Sequence, residues 1–362
     1  VIKPSSLGDV IHTLPAVAEL ARACPEASIH WLANGEWAPL LEGNPALAGV
    51  ISFPRSEFRG YRPSSLRAAR QWARENLSSL RPSLALDFQG LLRSALLARA
   101  SGAERIAGFT RSREGAAMFY DERVDVRHWD RWHAVHRYRR LVSATIGGGG
   151  ELPEPDPGDE LEFALPQGDE IGAGELSERE REILAGDYVV LHPFSRGLLK
   201  SLSNSEVVAF CDMLAPTPVV VVGVDRQEFA PGLPKNAVDL LARTSLSQLI
   251  RVLRGSCFSV SIDSGPMHLA AAISDRLLGI HSWTNPRVVG PCRLDAWVCR
   301  GDFIGQVRDV EAERFPEKRP SFPKGVTAFV GTPRSTLAVR PLLSRGMLEA
   351  VAARVAAEIS LP

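Results

Sequence analysis

No stretch of this sequence supplies the ~18 uninterrupted apolar residues of a membrane-spanning helix. Its opening, VIKPSSLGDVIHTLP, is too polar and its apolar part too short for a secretory leader. A cytoplasmic protein is therefore expected. Val1 stands inside a strand-like run, so a few initiating residues are expected before it. Charge of one sign is not in excess either: Lys plus Arg and Asp plus Glu number 42 each. No global field recruits nucleic acid or an anionic membrane, and any anion must be met locally. Cysteine is scarce. The five (Cys24, Cys211, Cys257, Cys292, Cys299) are scattered and odd in number, with no CxxC pair. That excludes a disulfide framework and argues against structural zinc, so no metal site is expected.

What is present is an ordinary globular composition, 45% apolar and 23% charged over 362 residues, long enough for two hydrophobic cores of roughly 150 to 180 residues each. Short apolar runs alternate with helical patterns. Residues 1–3, 27–32, 50–53 and 84–88 read as strands, and 9–24, 66–80 and 94–100 as helices. Beyond the Gly-, Pro- and acid-rich stretch GGGGELPEPDPGDELEFALPQGD at 147–169, an exposed linker by composition, YVVLH, PVVVV, FSVSI and residues 277–280 resume the strands. Strands alternating with helices predict two α/β, doubly wound parallel sheets, with ligands at the carboxyl ends of the strands. A last amphipathic stretch, 344–359, is compatible with either domain.

Four segments carry candidate chemistry. In KPSSLGD (3–9), Asp9 opens a helix behind a small-residue turn, where it could accept a proton from a hydroxyl; a helix-capping Asp is the plainer alternative. In IDSGPMHLA (262–270), Pro266 suits a first helical turn, and the free N–H groups of that turn suit a diphosphate. His268 lies one turn along, and a buried, satisfied imidazole is the alternative. In HPFSRGLLKS (192–201), Lys200 could neutralise a departing anion, unless the loop is merely solvated. In DFQGLLRS (87–94), polar side chains follow a strand end, where a capped turn would look the same. Arg55, Arg59, Arg62, Arg67, Arg70 and Arg74 form a basic stretch that could meet an anionic acceptor or simply be a solvated helix face.

Together, KPSSLGDVIHTLPA, DFQGLLRSALLAR, REGAAMFY, HAVHR, LHPFSRGLLKS and SIDSGPMHLAAA resemble the ADP-heptose:lipopolysaccharide heptosyltransferases of glycosyltransferase family 9, the heptosyltransferase I type in particular. The resemblance implies a GT-B fold of two Rossmann-like domains facing a central cleft: 1–158 for the acceptor, 159–343 for the nucleotide sugar, and a helix at 344–362 that crosses back to the first domain. It implies an inverting, metal-independent transfer of heptose from ADP-heptose to a Kdo-type lipopolysaccharide inner-core acceptor. No cofactor and no nucleic-acid partner are implied, and at most peripheral association with the inner membrane. Asp9 matches the family's base and Lys200 the lysine at the donor phosphates. Ser195, Arg196, Asp263, Ser264, Gly265 and His268 fall on the donor side, and Ser6, Gly8, Arg59, Arg62, Gln89 and Arg113 on the acceptor side. The chain departs from the family pattern at Ser201-Leu202-Ser203, where Trp-Pro is usual after the lysine, and at HSWTNP (281–286). The segment 302–340 has no counterpart. A UDP- or GDP-linked hexose donor, or a binding protein without turnover, are the alternatives these departures leave.

Overall fold

The computed structural model describes residues 1–55, 57–58, 63–126, 129–147, 159–195, 200–229, 232–311, 314–315 and 341–360, the side chains of 63–66 excepted. Arg59, Arg62 and Arg196 lie outside the described residues. The chain divides into two compact units, Val1–Pro166 and Gln167–Pro362, so the division falls a little beyond the 158/159 boundary read from the linker.

The first unit runs α1 (Leu7–Ala23), β1 (His30–Asn34), β2 (Gly49–Phe53), α2 (Pro63–Asn76), β3 (Leu84–Asp87), α3 (Leu92–Ala100), β4 (Arg105–Phe109), β5 (Glu122–Val124) and α4 (Ala134–Ile146). β1 pairs with β2, β3 with β4 and β4 with β5, all parallel. The opening residues, read as a full strand, contribute one bridging residue: Ile2 pairs in parallel with Leu32 on one side and Asp87 on the other. Its N–H donates to the Leu86 carbonyl at 2.9 Å, and its carbonyl accepts from Phe88 N at 3.1 Å. With the Ile2 segment as strand 1, the spatial order is 3-2-1-4-5-6, the doubly wound arrangement. The strand read at 27–32 is displaced to His30–Asn34 because its register is set by pairing with Gly49–Phe53.

The second unit runs α5 (Glu178–Ala185), β6 (Val189–His192), α6 (Asn204–Met213), β7 (Val219–Val221), β8 (Ala237–Asp239), α7 (Leu246–Gly255), β9 (Phe258–Ile262), α8 (Gly265–Ile273), β10 (Leu277–His281), α9 (Pro286–Val289), β11 (Trp297–Arg300), β12 (Phe303–Gln306) and α10 (Arg345–Ile359). The sheet order is β12-β11-β10-β9-β6-β7-β8, parallel except for β12. Counted from β6, the parallel strands again read 3-2-1-4-5-6. Every residue of β6, β9 and β10 is buried, as a parallel sheet covered on both faces demands. α5, α6 and α7 start with reciprocal Ser–Glu or Ser–Gln capping boxes at Ser177, Ser203 and Ser245, satisfying helix-start donors that would otherwise be orphaned.

The apolar face of the last helix has a definite owner. Leu348, Val351, Ala352 and Val355, one stripe at helical spacing, join the core of the second unit with Val207, Phe210 and Val260. Leu343 N also donates to Glu206 Oε1 on α6 at 2.7 Å. Of the two domains the periodicity left open, the apolar stripe of this helix is buried in the core of the second unit.

Candidate active site

Each sheet has its topological switch point where strand 1 meets strand 4, and there the loops on either side diverge and leave a crevice at the strand ends. In the first unit that point lies between Ile2 and β3. Ser6 is the N-cap of α1, and Asp9, at the third helical position, reaches back to it: Asp9 Oδ2 accepts from Ser6 N at 3.1 Å and Ser6 Oγ at 2.8 Å. The capping reading of Asp9 is thus correct as far as it goes. The other oxygen, Oδ1, accepts from the Tyr138 hydroxyl at 3.0 Å and lies 3.7 Å from Lys3 Nζ. Burial alone would raise the Asp9 carboxyl, but the Lys3 ammonium, the Ser6 bonds and the Tyr138 hydroxyl outweigh it and hold it below its ordinary value. The side chain is 39% exposed, so this ionised carboxylate is open to a ligand. Lys3 itself is buried, which lowers its pKa against the opposing pull of Asp9 and Asp87.

The loop after β3 is tied to the same point. Asp87, fully buried, accepts from Gln89 N at 2.9 Å, Gly90 N at 3.1 Å, Ser94 Oγ at 2.8 Å and Tyr120 Oη at 2.7 Å. Burial raises its pKa against those four donors. Gly90 sits at φ +65°, where side chains are strained. Tyr120 packs so closely on β4 that a Cβ at Gly108 would collide with its ring. The loop so fashioned presents Gln89, whose Oε1 accepts from Ser5 N at 3.2 Å, and Arg55 Nη1 donates to Ser5 Oγ at 3.3 Å. Arg113 is exposed, and its N–H donates to the Gly90 carbonyl at 2.8 Å. Ser6, Gly8, Asp9, Gln89 and Arg113 therefore share one edge of the unit.

In the second unit the switch point lies between β6 and β9. Asp263 follows β9 with its side chain 8% exposed, and its Oδ2 meets Lys200 Nζ at 2.5 Å and accepts from Thr284 Oγ1 at 2.7 Å. The Thr284 hydroxyl lies 3.0 Å from His281 Nδ1. Burial would raise the Asp263 carboxyl; His281, charged only in the acid range where that carboxyl titrates, together with Lys200 and Thr284 outweighs it and keeps the carboxyl depressed. Burial brings His281 down to about 4, so the imidazole is neutral. Lys200 also lies 4.5 Å from the centre of the Trp283 ring, a cation–π contact that holds its head in place. An aromatic ring thus reaches Lys200 from HSWTNP.

Ser264 caps α8 without a side-chain bond to it. Its hydroxyl turns back to the Ile262 carbonyl at 3.1 Å and to His192 Nδ1 at 3.3 Å. At the start of α8, Pro266 carries no N–H and Met267 N donates to the Ser264 carbonyl at 3.1 Å, so Gly265 supplies the amide at the very opening of the helix, where an anion is favoured. Ser195, after β6, donates its N–H to Ser201 Oγ at 2.9 Å, folding the loop back toward Lys200. His268 is buried on α8 and depresses the His281 imidazole. Lys3 as a partner of Asp9, Tyr138, His192, His281, Trp283 and Thr284 were not foreseen as site residues. The motif HAVHR ends one residue short of Tyr138, and HSWTNP departs from the family pattern.

Residues 74–315 match the model of glycosyltransferase family 9 (heptosyltransferase). The chain belongs to glycosyltransferase family 9. It is 31% identical to lipopolysaccharide heptosyltransferase 1 of Pseudomonas aeruginosa, across 80% of this chain and 79% of that protein. It is 28% identical to the Escherichia coli K12 protein of the same name, across 83% and 92%. Among solved structures, E. coli heptosyltransferase WaaC with ADP superposes with a TM-score of 0.68 at 26% identity, covering 86% of this chain and 95% of that one. E. coli ADP-heptose heptosyltransferase II, at 20% identity and a TM-score of 0.59, shares the fold. This family 9 chain is accordingly a glycosyltransferase of GT-B fold. The matched stretch contains Lys200 and Asp263 and begins after Asp9. Among the described residues, no helix is long and apolar enough to cross a membrane.

Proposed function

We propose that this family 9 glycosyltransferase moves heptose from ADP-heptose to a hydroxyl of a Kdo-type lipopolysaccharide inner-core acceptor, by an inverting single displacement that needs no metal. The observation that carries the reading is the Asp9 carboxylate: ionised, oriented through both oxygens and still 39% exposed at the switch point of the first unit. A carboxylate held below its ordinary pKa is a weak base toward a resting alcohol. It becomes an adequate one as the hydroxyl acidifies during attack.

In this reading the acceptor O–H gives its proton to Asp9 while its oxygen bonds to the anomeric carbon. The bond from that carbon to the diphosphate oxygen breaks, and its electron pair leaves with ADP. One displacement inverts the anomeric configuration. Lys200 and the Gly265 amide at the start of α8 are assigned to the charge that develops on the diphosphate, and Ser195, Arg196, Asp263, Ser264 and His268 to the donor. Ser6, Gly8, Arg59, Arg62, Gln89 and Arg113 are assigned to the acceptor. Two lipopolysaccharide heptosyltransferase 1 relatives and a heptosyltransferase structure with ADP support this choice of substrates.

The test is turnover with ADP-heptose and a Kdo-terminated acceptor. Asp9→Ala should lower the rate by about 10³-fold, within the range for a lost general base, while calorimetry shows donor binding preserved. An active variant removes Asp9 as the base. Retained configuration at the product's anomeric carbon rejects single displacement, activity lost on chelation rejects metal independence, and preference for a UDP- or GDP-sugar rejects the donor.

A further inference from the structure

We propose that Tyr138 is a positioning residue for the Asp9 carboxylate: its hydroxyl accepts from the Lys3 ammonium and spends its single proton on Asp9 Oδ1. The inference rests on the reading of Asp9 as the base. The direction of each bond follows from the donor inventory. An ammonium only donates, so across the 3.0 Å between Lys3 Nζ and Tyr138 Oη the tyrosine accepts. Its one O–H then points along the 3.0 Å to Asp9 Oδ1. Lys3 is anchored independently, donating to the Phe88 carbonyl at 3.1 Å, and its Nζ stays 3.7 Å from Oδ1.

The hydroxyl therefore does two things at once. It passes the lysine's charge on to the carboxylate, and it keeps the ammonium from closing over Oδ1, the oxygen that Ser6 leaves open. The ring that carries it is well held. Tyr138 is buried, edge-on to Phe88 at 5.7 Å and tilted against Phe109 at 6.1 Å. Burial and the Asp9 charge push its own pKa well above the usual 10, so it stays a donor. The charged and titratable groups that act on Asp9 are Lys3 and Tyr138; Asp87, Arg113 and Arg137 act in turn on Lys3, Arg137 also on Tyr138, and His12 on α1 packs against His133, itself beside His136 on α4. Among these, Tyr138 Oη is the donor to Oδ1, and Lys3, held by Phe88, stands behind it.

The experiment is Tyr138→Phe, which keeps the ring packing and deletes one oxygen. Loss of a hydrogen bond to a charged group should make Asp9 more basic by about one pH unit. The acidic limb of the kcat–pH profile therefore moves upward by about one unit, and the plateau kcat falls about tenfold as the carboxylate loses its fixed orientation. The KM for ADP-heptose stays unchanged. A limb that stays in place, or moves downward because Lys3 has closed on Asp9, overturns the inference. A second measurement needs no variant: in the wild-type chain the ¹³Cζ resonance of Tyr138 should titrate with the midpoint of that acidic limb, and an invariant resonance overturns the inference equally. Asp9→Asn separates the two ideas. If it turns over, the base assignment fails; if it is inactive while Tyr138→Phe is unaffected, only the role of Tyr138 fails.

Discussion

Removing the Lys200 ammonium should weaken binding of a nucleoside diphosphate by more than the loss of one cation, because Asp263 is left behind. In the folded chain the two are 2.5 Å apart, Asp263 is 8% exposed, and the Thr284 hydroxyl is its other side-chain donor in this cluster. Lys200→Met keeps an unbranched apolar side chain and deletes the charge, together with its cation–π contact to Trp283. The lost charge-assisted hydrogen bond to a phosphate accounts for about 1.5–3 kcal/mol. An unneutralised Asp263 at roughly 6 Å from the phosphate charge adds about 3 kcal/mol of repulsion at an effective dielectric of 20, less when salt screens it. The sum, about 4 kcal/mol after screening, is roughly a thousandfold in affinity. Adding Asp263→Asn should remove the repulsion, so Lys200→Met/Asp263→Asn recovers about thirtyfold of the loss. Calorimetric titration of ADP into the four members of this cycle reads both numbers, with the thermal midpoint of each ligand-free variant as the folding control. If the double variant binds ADP no better than Lys200→Met, the argument that Asp263 turns against the donor is wrong.

Two further outcomes concern stability. Asp87→Ala strands the Gln89 and Gly90 amides and the Tyr120 hydroxyl, which at ~1–2 kcal/mol for each lost acceptor amounts to about 3–6 kcal/mol. Hydrogen exchange at the Gly90 amide and urea unfolding should both report it, and a loss under about 1 kcal/mol would contradict the network. The neutral His281 gives a pH dependence. The unfolded imidazole takes up a proton below its ordinary 6.5 and the folded one only near 4. Its contribution is therefore complete above pH 6.5 and declines by roughly 3 kcal/mol as the pH falls to 4. His281→Gln should flatten that part of the stability profile; identical slopes for variant and wild type would show that another group sets it.

Local periodicity made much of this architecture legible. Short, fully buried strands such as VVLH and FSVSI, and helices opened by Ser or Pro, are decided within a few residues, and their alternation implies two doubly wound sheets. The weaker elements escaped. RIAGF at β4 carries its own Arg and Gly, three-residue β5 is too short to show a period, and β12 runs antiparallel at an edge. α10 announced its apolar stripe, but its owner was a question of which core had room for Leu348 and Val351. The same division runs through the site. Asp9, Lys200, Asp263 and the start of α8 lie in short motifs whose backbone geometry is local, and the sequence by itself determined that they end up at strand ends. What surrounds them arrives from afar. Tyr138 comes 129 residues after Asp9, and Trp283 and Thr284 come from the loop after β10 to meet Lys200 and Asp263. Only the tertiary structure decided these partners, because the charge state and aim of a carboxylate depend on which donors stand within about 3 Å, and no sequence spacing encodes that distance.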